Sequence, residues 1–213
     1  MTFHIIPSPK FKLLYVPTPK CACTTMKHVM YFLEHGDWYQ ESAEEKKYIH
    51  KFYGYDNLVE NLDDYSDWYK FAVVREPIDR FISFYQNKIV QEKKYIDPSV
   101  DIDNLAMNLE KYQSQNSALK HHTETQKSFL GDDLAVFDWV GKIEDLSKLH
   151  ETIQEMTHLN FSLPQKQTSS SSRKAKLSLS NETILRLVDF YKEDYALLKG
   201  FYQVPLISNI TDQ

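Results

Sequence analysis

The sequence predicts an α/β protein built on a parallel sheet, because a strand–loop–helix pattern occurs three times along the chain. Leu13–Val16 is an apolar run with the length of a buried strand, and residues 68–74 and 135–143 contain two further runs of this kind. Each run is followed by apolar side chains at helical spacing, the last of them extending to about Thr157. Alternation of strands with helices is typical of sheets that are covered by helices.

The composition fits one globular domain over residues 1–213, since 42% hydrophobic residues can supply a substantial core. The net charge of −5 disfavours a nucleic-acid partner. Cys21 and Cys23 are separated by one residue, so their side chains diverge and a disulfide between them is disfavoured. No run approaches the roughly 20 apolar residues of a membrane span. We therefore expect no membrane span and a cytoplasmic, reducing location, while the oligomeric state stays open.

The loop after the first predicted strand is short and tightly turned. Pro17 and Pro19 end the strand, because proline cannot continue the ladder of backbone hydrogen bonds. Small residues follow at 21–23, and Thr24 and Thr25 are two possible N-caps of the next helix. The chain is thus predicted to pass from strand to helix within a few residues.

Two lysines accompany this loop, Lys20 within it and Lys27 in the first turn of the predicted helix. Unpaired backbone N–H groups at a helix N-terminus, together with two lysines, favour a polyanion site. An ordinary strand–loop–helix unit with solvated lysines is the alternative interpretation. A Walker loop is excluded, because no glycine lies between Lys12 and Gly36.

The second predicted strand ends at Arg75, and Pro77 then opens a helix in the position that proline favours. Ligands of open α/β sheets bind at the carboxyl ends of strands, and a guanidinium there can hold a phosphate through two hydrogen bonds. Ser83 follows eight residues after the arginine. We interpret Arg80, in the first turn, as a surface residue.

Three histidines mark other segments of interest. Residues 42–52 have helical character, and His50 near their end is either a surface histidine or a general base. Residues 91–120 are predicted to form a helical insertion on the substrate side. His121 and His122 follow it, but the sequence offers no further convergent ligand, so we predict no metal site.

The remaining chain holds a serine-rich segment and a last helix. Residues 164–173 have the composition of a flexible linker, although Arg173 at their end also suits a loop that closes over an anionic ligand. A single amphipathic helix is predicted after Ser180, ending at Gly200.

Two motifs coincide with the two loops described above. PKCACTTMK at residues 19–27 and FAVVREPIDRFISFYQNK at residues 71–88 resemble the 5′-phosphosulfate loop and the 3′-phosphate motif of sulfotransferases that use 3′-phosphoadenosine 5′-phosphosulfate (PAPS). His122 four residues before Gln126, and VGKIEDL at residues 140–146, are similar to later patterns of the carbohydrate sulfotransferases of the chondroitin and heparan 2-O type.

The resemblance extends from about residue 11 to residue 202 and implies a P-loop-like parallel sheet of sulfotransferase architecture. It further implies transfer of a sulfuryl group from PAPS to a hydroxyl of a carbohydrate, with release of PAP. Lys20 would then be the catalytic cation and His50 the general base, with His122 and Glu124 as alternative bases. No metal would be needed, because lysine and arginine supply the positive charge. The residues implied in cofactor binding are Pro19, Lys20, Cys21, Ala22, Cys23, Thr24, Thr25, Lys27, Arg75, Ser83 and Arg173.

The sequence departs from that family's pattern in having no signal anchor, no luminal stem and no disulfide cysteines. We therefore expect a compact soluble relative whose acceptor is a small molecule or a glycan. Two other functions stay open. A nucleotide or small-molecule kinase on a related P-loop fold is disfavoured by the missing Walker lysine–serine pair. The other is a non-catalytic module that binds PAP or another anion.

Overall fold

The structure, a computed structural model of the chain, describes residues 2–54, 57–164 and 179–205. The chain divides into two compact units. The first, here called unit 1, comprises Met1–Val74 and Phe129–Thr168. The second, unit 2, comprises Arg75–Ser128 and Ser169–Gln213.

The strands of the described residues all lie in unit 1. They are β1 (Phe3–His4), β2 (Ile6–Ser8), β3 (Leu13–Val16), β4 (Leu58–Val59), β5 (Tyr69–Val74) and β6 (Trp139–Lys142).

The α-helices, numbered in chain order, are α1 (Cys23–His35), α2 (Ile49–Phe52), α3 (Pro77–Phe84), α4 (Ile102–Met107), α5 (Leu109–Gln115), α6 (Ser117–Thr123), α7 (Lys127–Leu130), α8 (Leu146–Thr157), α9 (Asn181–Phe190) and α10 (Lys192–Leu197). Short 3-10 turns cover Leu62–Tyr65, Leu134–Val136 and Ile143–Asp145, and Tyr85–Gln91 forms a π-helix. Within the described ranges, no helix has both the length and the apolar character that crossing a bilayer requires.

The main sheet of unit 1 has the strand order β2-β3-β5-β6. β2 runs antiparallel to β3, whereas β3, β5 and β6 are parallel, with Val16 opposite Ala72 and Val74 opposite Lys142. The predicted α/β fold with a parallel-rich sheet and flanking helices is therefore confirmed. Because β3 and β5 are parallel neighbours, their carboxyl ends lie at the same edge of this sheet.

The core of unit 1 packs α1 and α8 against the sheet. Met26, Met30 and Leu33 of α1 are buried together with Leu149 and Ile153 of α8. The same cluster contains the strand residues Ile6, Leu13, Tyr15, Phe71 and Val73. This packing explains the helical spacing of the apolar residues after β3.

The third strand is shorter than the predicted run 135–143. The first part of the predicted run instead forms the 3-10 turn Leu134–Val136. The Asp133 carboxylate caps this turn by accepting a hydrogen bond from the N–H of Ala135 at 2.8 Å. The strand itself holds Gly141, where an added Cβ would lie 2.0 Å from the ring of Trp139. Only glycine therefore fits at this position beside the tryptophan.

The helix expected over residues 42–52 is wrong for most of its length. Ser42 and Lys47 form an isolated antiparallel bridge, so the intervening residues turn back on themselves. Only Ile49–Phe52 is helical.

Unit 2 is helical in its described residues, and α3 begins as predicted with Pro77 in its first turn. The Glu76 carboxylate caps this helix by accepting a hydrogen bond from the N–H of Asp79 at 2.7 Å. The core brings α3, α4, α5, α6 and α9 together through Ile78, Phe81, Leu105, Leu109, Leu119 and Leu187. The range 91–120 is largely helical, while its place on the substrate side stays a prediction.

The prediction of a single last helix that ends at Gly200 is wrong, because α9 and α10 are separated at Tyr191. This tyrosine is completely buried, and its hydroxyl donates a hydrogen bond to the backbone carbonyl of Thr123 at 2.7 Å. The break thus places a buried side chain against α6.

Candidate functional site

The loop after β3 leads into α1 through two residues with left-handed backbone. Lys20 has φ 66° and Ala22 has φ 55°. Ala22 is the N-cap of α1, and its carbonyl accepts the hydrogen bond of the Met26 N–H at 3.0 Å. The prediction that Thr24 or Thr25 caps the helix is wrong, because the left-handed turn at Ala22 starts the helix earlier and both threonines lie in its first turn.

No side chain of the described residues caps α1. The first N–H groups of a helix have no partner within the helix, so this N-terminus presents donors to a ligand. Pro19 and Cys21 are buried, whereas Lys20, Cys23 and Thr24 are partly exposed at the start of the helix. Both cysteine thiols are free.

Thr18 is a residue of this loop that the sequence interpretation missed. Its side chain is completely buried, and its Oγ1 has no hydrogen-bond partner within the described part of the chain. Its position between two prolines is the only signal that the sequence offers.

Lys27 lies in the second turn of α1 rather than the first, and it is only 6% exposed. Its Nζ donates a hydrogen bond to the backbone carbonyl of Tyr53 at 3.2 Å. Burial lowers the pKa of Lys27 from its ordinary value. The lysine therefore joins α1 to the residue that follows α2.

His50 lies beside the start of α1. Its Nε2 is 2.8 Å from Oγ1 of Thr24, so the structure brings together two residues that the sequence separates widely. The histidine side chain is exposed. An exposed imidazole in hydrogen-bond contact with a hydroxyl is accessible to a substrate and can exchange a proton with it.

Glu41 holds the short helix that carries His50. Its Oε1 accepts a hydrogen bond from the N–H of Ile49 at 3.2 Å and lies 3.6 Å from Nε2 of the buried His28. The sequence interpretation missed both His28 and Glu41, because only the folded chain brings them together. They help to fix the position of α2 against α1.

In unit 2, the backbone of Arg75 is fixed by hydrogen bonds to a side chain. The side chain of Gln126 accepts a hydrogen bond from the Arg75 N–H at 3.0 Å and donates one to the Arg75 carbonyl at 2.7 Å. The N–H of Gln126 in turn donates to Oδ2 of the buried Asp194 at 2.9 Å. Burial raises the pKa of Asp194, and the nearby Arg80 guanidinium opposes this shift. Arg75 and Ser83 are themselves nearly buried.

The interpretation of Arg80 as a surface residue is wrong, since its side chain is completely buried. Its guanidinium donates hydrogen bonds to the backbone carbonyls of Glu124 at 2.7 Å and His122 at 3.3 Å. Both carbonyls belong to a segment far along the sequence. Their hydrogen bonds offset the cost of burying the charge of the guanidinium. Arg80 thus fixes the segment that carries the two alternative bases.

The ring of His122 lies between two aromatic rings of unit 2. Its centroid is 5.8 Å from those of Phe84 and Tyr95, and its Nε2 lies 3.5 Å from the hydroxyl of Tyr95. Glu124 is partly buried, and burial raises the pKa of its carboxyl. One of its oxygens lies 3.8 Å from Nδ1 of His121.

Two further predictions concern the serine-rich segment and metals. Residues 165–173, including Arg173, lie outside the described residues. Among the residues that the structure does describe, no group of three or more histidine, cysteine, aspartate or glutamate side chains is placed to hold a metal ion. The metal-free site stays a prediction.

The chain was compared with known proteins. No curated protein and no solved structure shows a significant match to it. A family model described as "Sulfotransferase family" matches residues 3–203, which is nearly the whole chain. The loop after β3, the helix start beside it and the residues that follow β5 all lie within this match. The chain therefore belongs to the sulfotransferase family.

Proposed function

We propose that the chain transfers a sulfuryl group from PAPS to a hydroxyl of a carbohydrate acceptor and releases PAP. Membership of the sulfotransferase family makes it a transferase of sulfuryl groups in general. The observation that carries the finer proposal is the start of α1, where an uncapped helix N-terminus, Lys20, and the Thr24–His50 contact occur together.

The 5′-phosphosulfate of the donor would bind at residues 19–25. Left-handed backbone at Lys20 and Ala22 is of the kind that turns backbone N–H groups into an anion-binding concavity. The uncapped N–H groups of α1 add further donors, and the helix dipole favours negative charge there. The hydroxyls of Thr24 and Thr25 would complete the contacts, with Lys27 adding positive charge from the second turn.

The 3′-phosphate of the donor would be held by Arg75 and Ser83, with Arg173 as a further contact. The two hydrogen bonds between the Gln126 side chain and the Arg75 backbone fix the position of that backbone. A fixed backbone reduces the entropy that Arg75 loses when its guanidinium forms two hydrogen bonds to a phosphate.

In the reaction, the acceptor oxygen would attack the sulfur while the bond from sulfur to the bridging oxygen of the donor breaks. The acceptor proton would pass to the imidazole of His50, and the leaving phosphate would gain the negative charge. Lys20 would donate a hydrogen bond to the bridging oxygen as that charge develops. The sequence of steps resembles loose phosphoryl transfer, in which the protein mainly positions groups and stabilises charge.

His50 is our first choice of base, because its Nε2 already lies in hydrogen-bond contact with a hydroxyl, that of Thr24. An acceptor hydroxyl in place of this threonine hydroxyl would be within reach for proton transfer. His122 and Glu124 of unit 2 are the alternatives.

A transfer assay with labelled PAPS and a panel of glycans and small hydroxyl compounds tests the proposed function. We expect label to move to at least one glycan and PAP to appear in equal amount. Calorimetry should show that PAP binds and that ATP binds much more weakly, because ATP lacks the 3′-phosphate. Tight ATP binding with phosphate transfer would instead support a kinase, and PAP binding without any transfer would support a non-catalytic module.

Replacing Arg75 by alanine should weaken PAP binding by about 2 kcal/mol, since hydrogen bonds to charged groups contribute roughly 1.5–3 kcal/mol. Adenosine 5′-phosphosulfate has no 3′-phosphate, so its affinity should hardly change. Calorimetry with both ligands measures the difference, and Arg75→Lys, which keeps the charge without the two-pronged geometry, should fall between wild type and Arg75→Ala. Equal losses for the two ligands would contradict the assignment of Arg75 to the 3′-phosphate.

A further inference from the structure

Unit 2 contains a pocket of about 320 Å³ beside the segment that follows the π-helix Tyr85–Gln91. Its walls include Tyr95, Asp97, Tyr112 and Gln115. We call it the Tyr95 pocket. Its volume is at the lower end of the range for small-molecule sites, roughly 300–1,000 Å³, so it suits one small ring rather than an extended chain.

The chemistry of the walls matches an uncharged polyhydroxyl ring. The rings of Tyr95 and Tyr112 offer flat apolar surfaces for the C–H face of a sugar. The side chain of Gln115 offers both donors and an acceptor, and the carboxylate of Asp97 offers acceptors, which together suit hydroxyl groups.

The charge of the pocket disfavours an anionic ligand. None of the described residues that line it is a lysine, arginine or histidine. Hydrogen bonds from the N–H and hydroxyl of Ser99 lower the pKa of Asp97, so its carboxyl is ionised at neutral pH. Asp97 is exposed, so water and salt weaken its repulsion of an anion, but a wall with a carboxylate and no basic side chain gives a uronate or a sulfate no partner of opposite charge.

The walls are also fixed in place before any ligand arrives. Tyr95 has φ 77°, a left-handed conformation that is unfavourable for a bulky residue and is maintained only where the surroundings hold it. The side-chain amide of Asn116 donates a hydrogen bond to the Tyr95 carbonyl at 3.1 Å, while its oxygen caps α6 through the N–H of Leu119 at 2.9 Å. The Tyr112 hydroxyl donates to Oδ1 of Asn104 at 3.1 Å. Such preorganisation reduces the entropy lost on binding.

The pocket adjoins a candidate base. Tyr95 forms part of the wall, and its hydroxyl lies 3.5 Å from Nε2 of His122. Burial raises the pKa of Tyr95, so the hydroxyl is protonated and can donate to this nitrogen. A ring that occupies the pocket would therefore lie close to an ionisable group of the same unit.

From this combination we propose that the Tyr95 pocket binds an uncharged sugar ring of the acceptor, and that it selects neutral sugars over uronic acids and sulfated sugars. The proposal rests on the proposed function and deepens it by naming the class of acceptor. Tyr112 and Gln115 are the specificity residues, because both line the pocket and neither belongs to the machinery proposed for the donor.

Saturation-transfer NMR on the full chain with PAP present tests this directly. The probes are the methyl glycosides of galactose and N-acetylglucosamine, with methyl glucuronide as the charged counterpart. We expect the neutral glycosides to bind and the glucuronide to bind at least about fivefold more weakly, the effect of a single unfavourable polar contact.

Three variants locate the binding site. Gln115→Ala should weaken binding of the neutral glycosides about fivefold, because a hydrogen-bonding group is lost. Tyr112→Ala should weaken binding of the neutral glycosides about tenfold. Tyr112→Phe keeps the ring but loses the hydrogen bond to Asn104, so it should weaken binding much less than Tyr112→Ala. Gln115 is exposed, so its replacement leaves the fold intact even if Tyr112→Ala is destabilised.

Gln40→Ala is the matched control, because Gln40 is an exposed glutamine that lines a different pocket, in unit 1. It should leave glycoside binding unchanged. Four results would each overturn the proposal. They are loss of binding in Gln40→Ala alone, equal glycoside binding in all variants, equal affinity for the glucuronide and the neutral glycosides, and no binding of either neutral glycoside. PAP affinity and transfer from labelled PAPS, measured on the same samples, separate these results from a failure of the proposed function. That failure would show as absent PAP binding or as PAP binding without any transfer.

Discussion

Replacing Lys20 by glycine should lower kcat about 10²–10³-fold, the scale for losing one preorganised donor to a developing charge. The affinity for PAPS should change much less. We propose that the ammonium of Lys20 contacts the bridging oxygen, and this contact strengthens as the bond to sulfur breaks. An interaction that is stronger in the transition state than in the ground state acts on kcat more than on binding.

Glycine is the informative substitution at this position. Lys20 has φ 66°, a conformation that glycine adopts without strain and alanine does not. Lys20→Gly therefore removes the charge and leaves the turn, whereas Lys20→Ala combines loss of charge with strain in the backbone. Single-turnover transfer measured against PAPS concentration gives the rate and the PAPS affinity of both variants, and so separates these two effects.

Lys27→Met provides the contrast, because methionine keeps most of the buried aliphatic stem and loses the charge. We expect mainly weaker binding in this variant, since the phosphate that Lys27 would neutralise is charged throughout the reaction. If Lys20→Gly loses only affinity and keeps its single-turnover rate, Lys20 is a binding residue and the proposed mechanism fails.

Replacing His50 by alanine should lower kcat about 10²–10⁴-fold, the usual contribution of a general base, while PAP affinity stays unchanged. The wild-type rate should rise with pH across the range in which histidine side chains lose a proton, because the neutral imidazole accepts the proton of the acceptor. The pH profile of kcat for wild type and variant measures both effects.

His35→Ala is the control for this experiment. His35 lies at the far end of α1, is exposed, and packs its ring against Tyr31 at 4.2 Å and against Phe52 of α2 at 5.9 Å. Its replacement therefore also tests whether a small disturbance of α2 alone changes the rate. It should keep the wild-type rate and pH profile. Near-normal turnover in His50→Ala would transfer the role of base to His122 or Glu124.

Local signals in the sequence predicted the elements that depend on local physics. The apolar run Leu13–Val16 is a strand with those bounds, because prolines stop it and buried neighbours accept all four side chains. Pro77 opens α3 for the same local reason, since its fixed φ and missing N–H suit a first helical turn. The period of apolar residues likewise predicted α8 to Thr157.

Features that depend on distant residues could not be predicted in this way. Arg80 is buried because carbonyls of His122 and Glu124 accept its hydrogen bonds, and no local pattern reveals such partners. The break between α9 and α10 places Tyr191 against Thr123, which again lies far along the chain. For the site, the sequence predicted which types of residue lie at the start of α1. It could not predict the contact of Thr24 with His50, which only the folded structure shows.

The order of the strands bears on how the chain folds during synthesis. β2, β3 and β5 are synthesised early, whereas β6 is synthesised only after the whole of Arg75–Ser128. The pairing of β5 with β6, in which Phe71 lies opposite Trp139, must therefore wait for that segment. Parallel pairing at such separation in sequence gives slow folding, and until it occurs β5 keeps an unpaired edge of apolar residues. A nascent chain that stops before β6 therefore presents a strand edge that chaperones or like chains can bind. Any truncation of this protein should therefore retain Trp139–Lys142, because its loss would leave the edge of β5 unpaired.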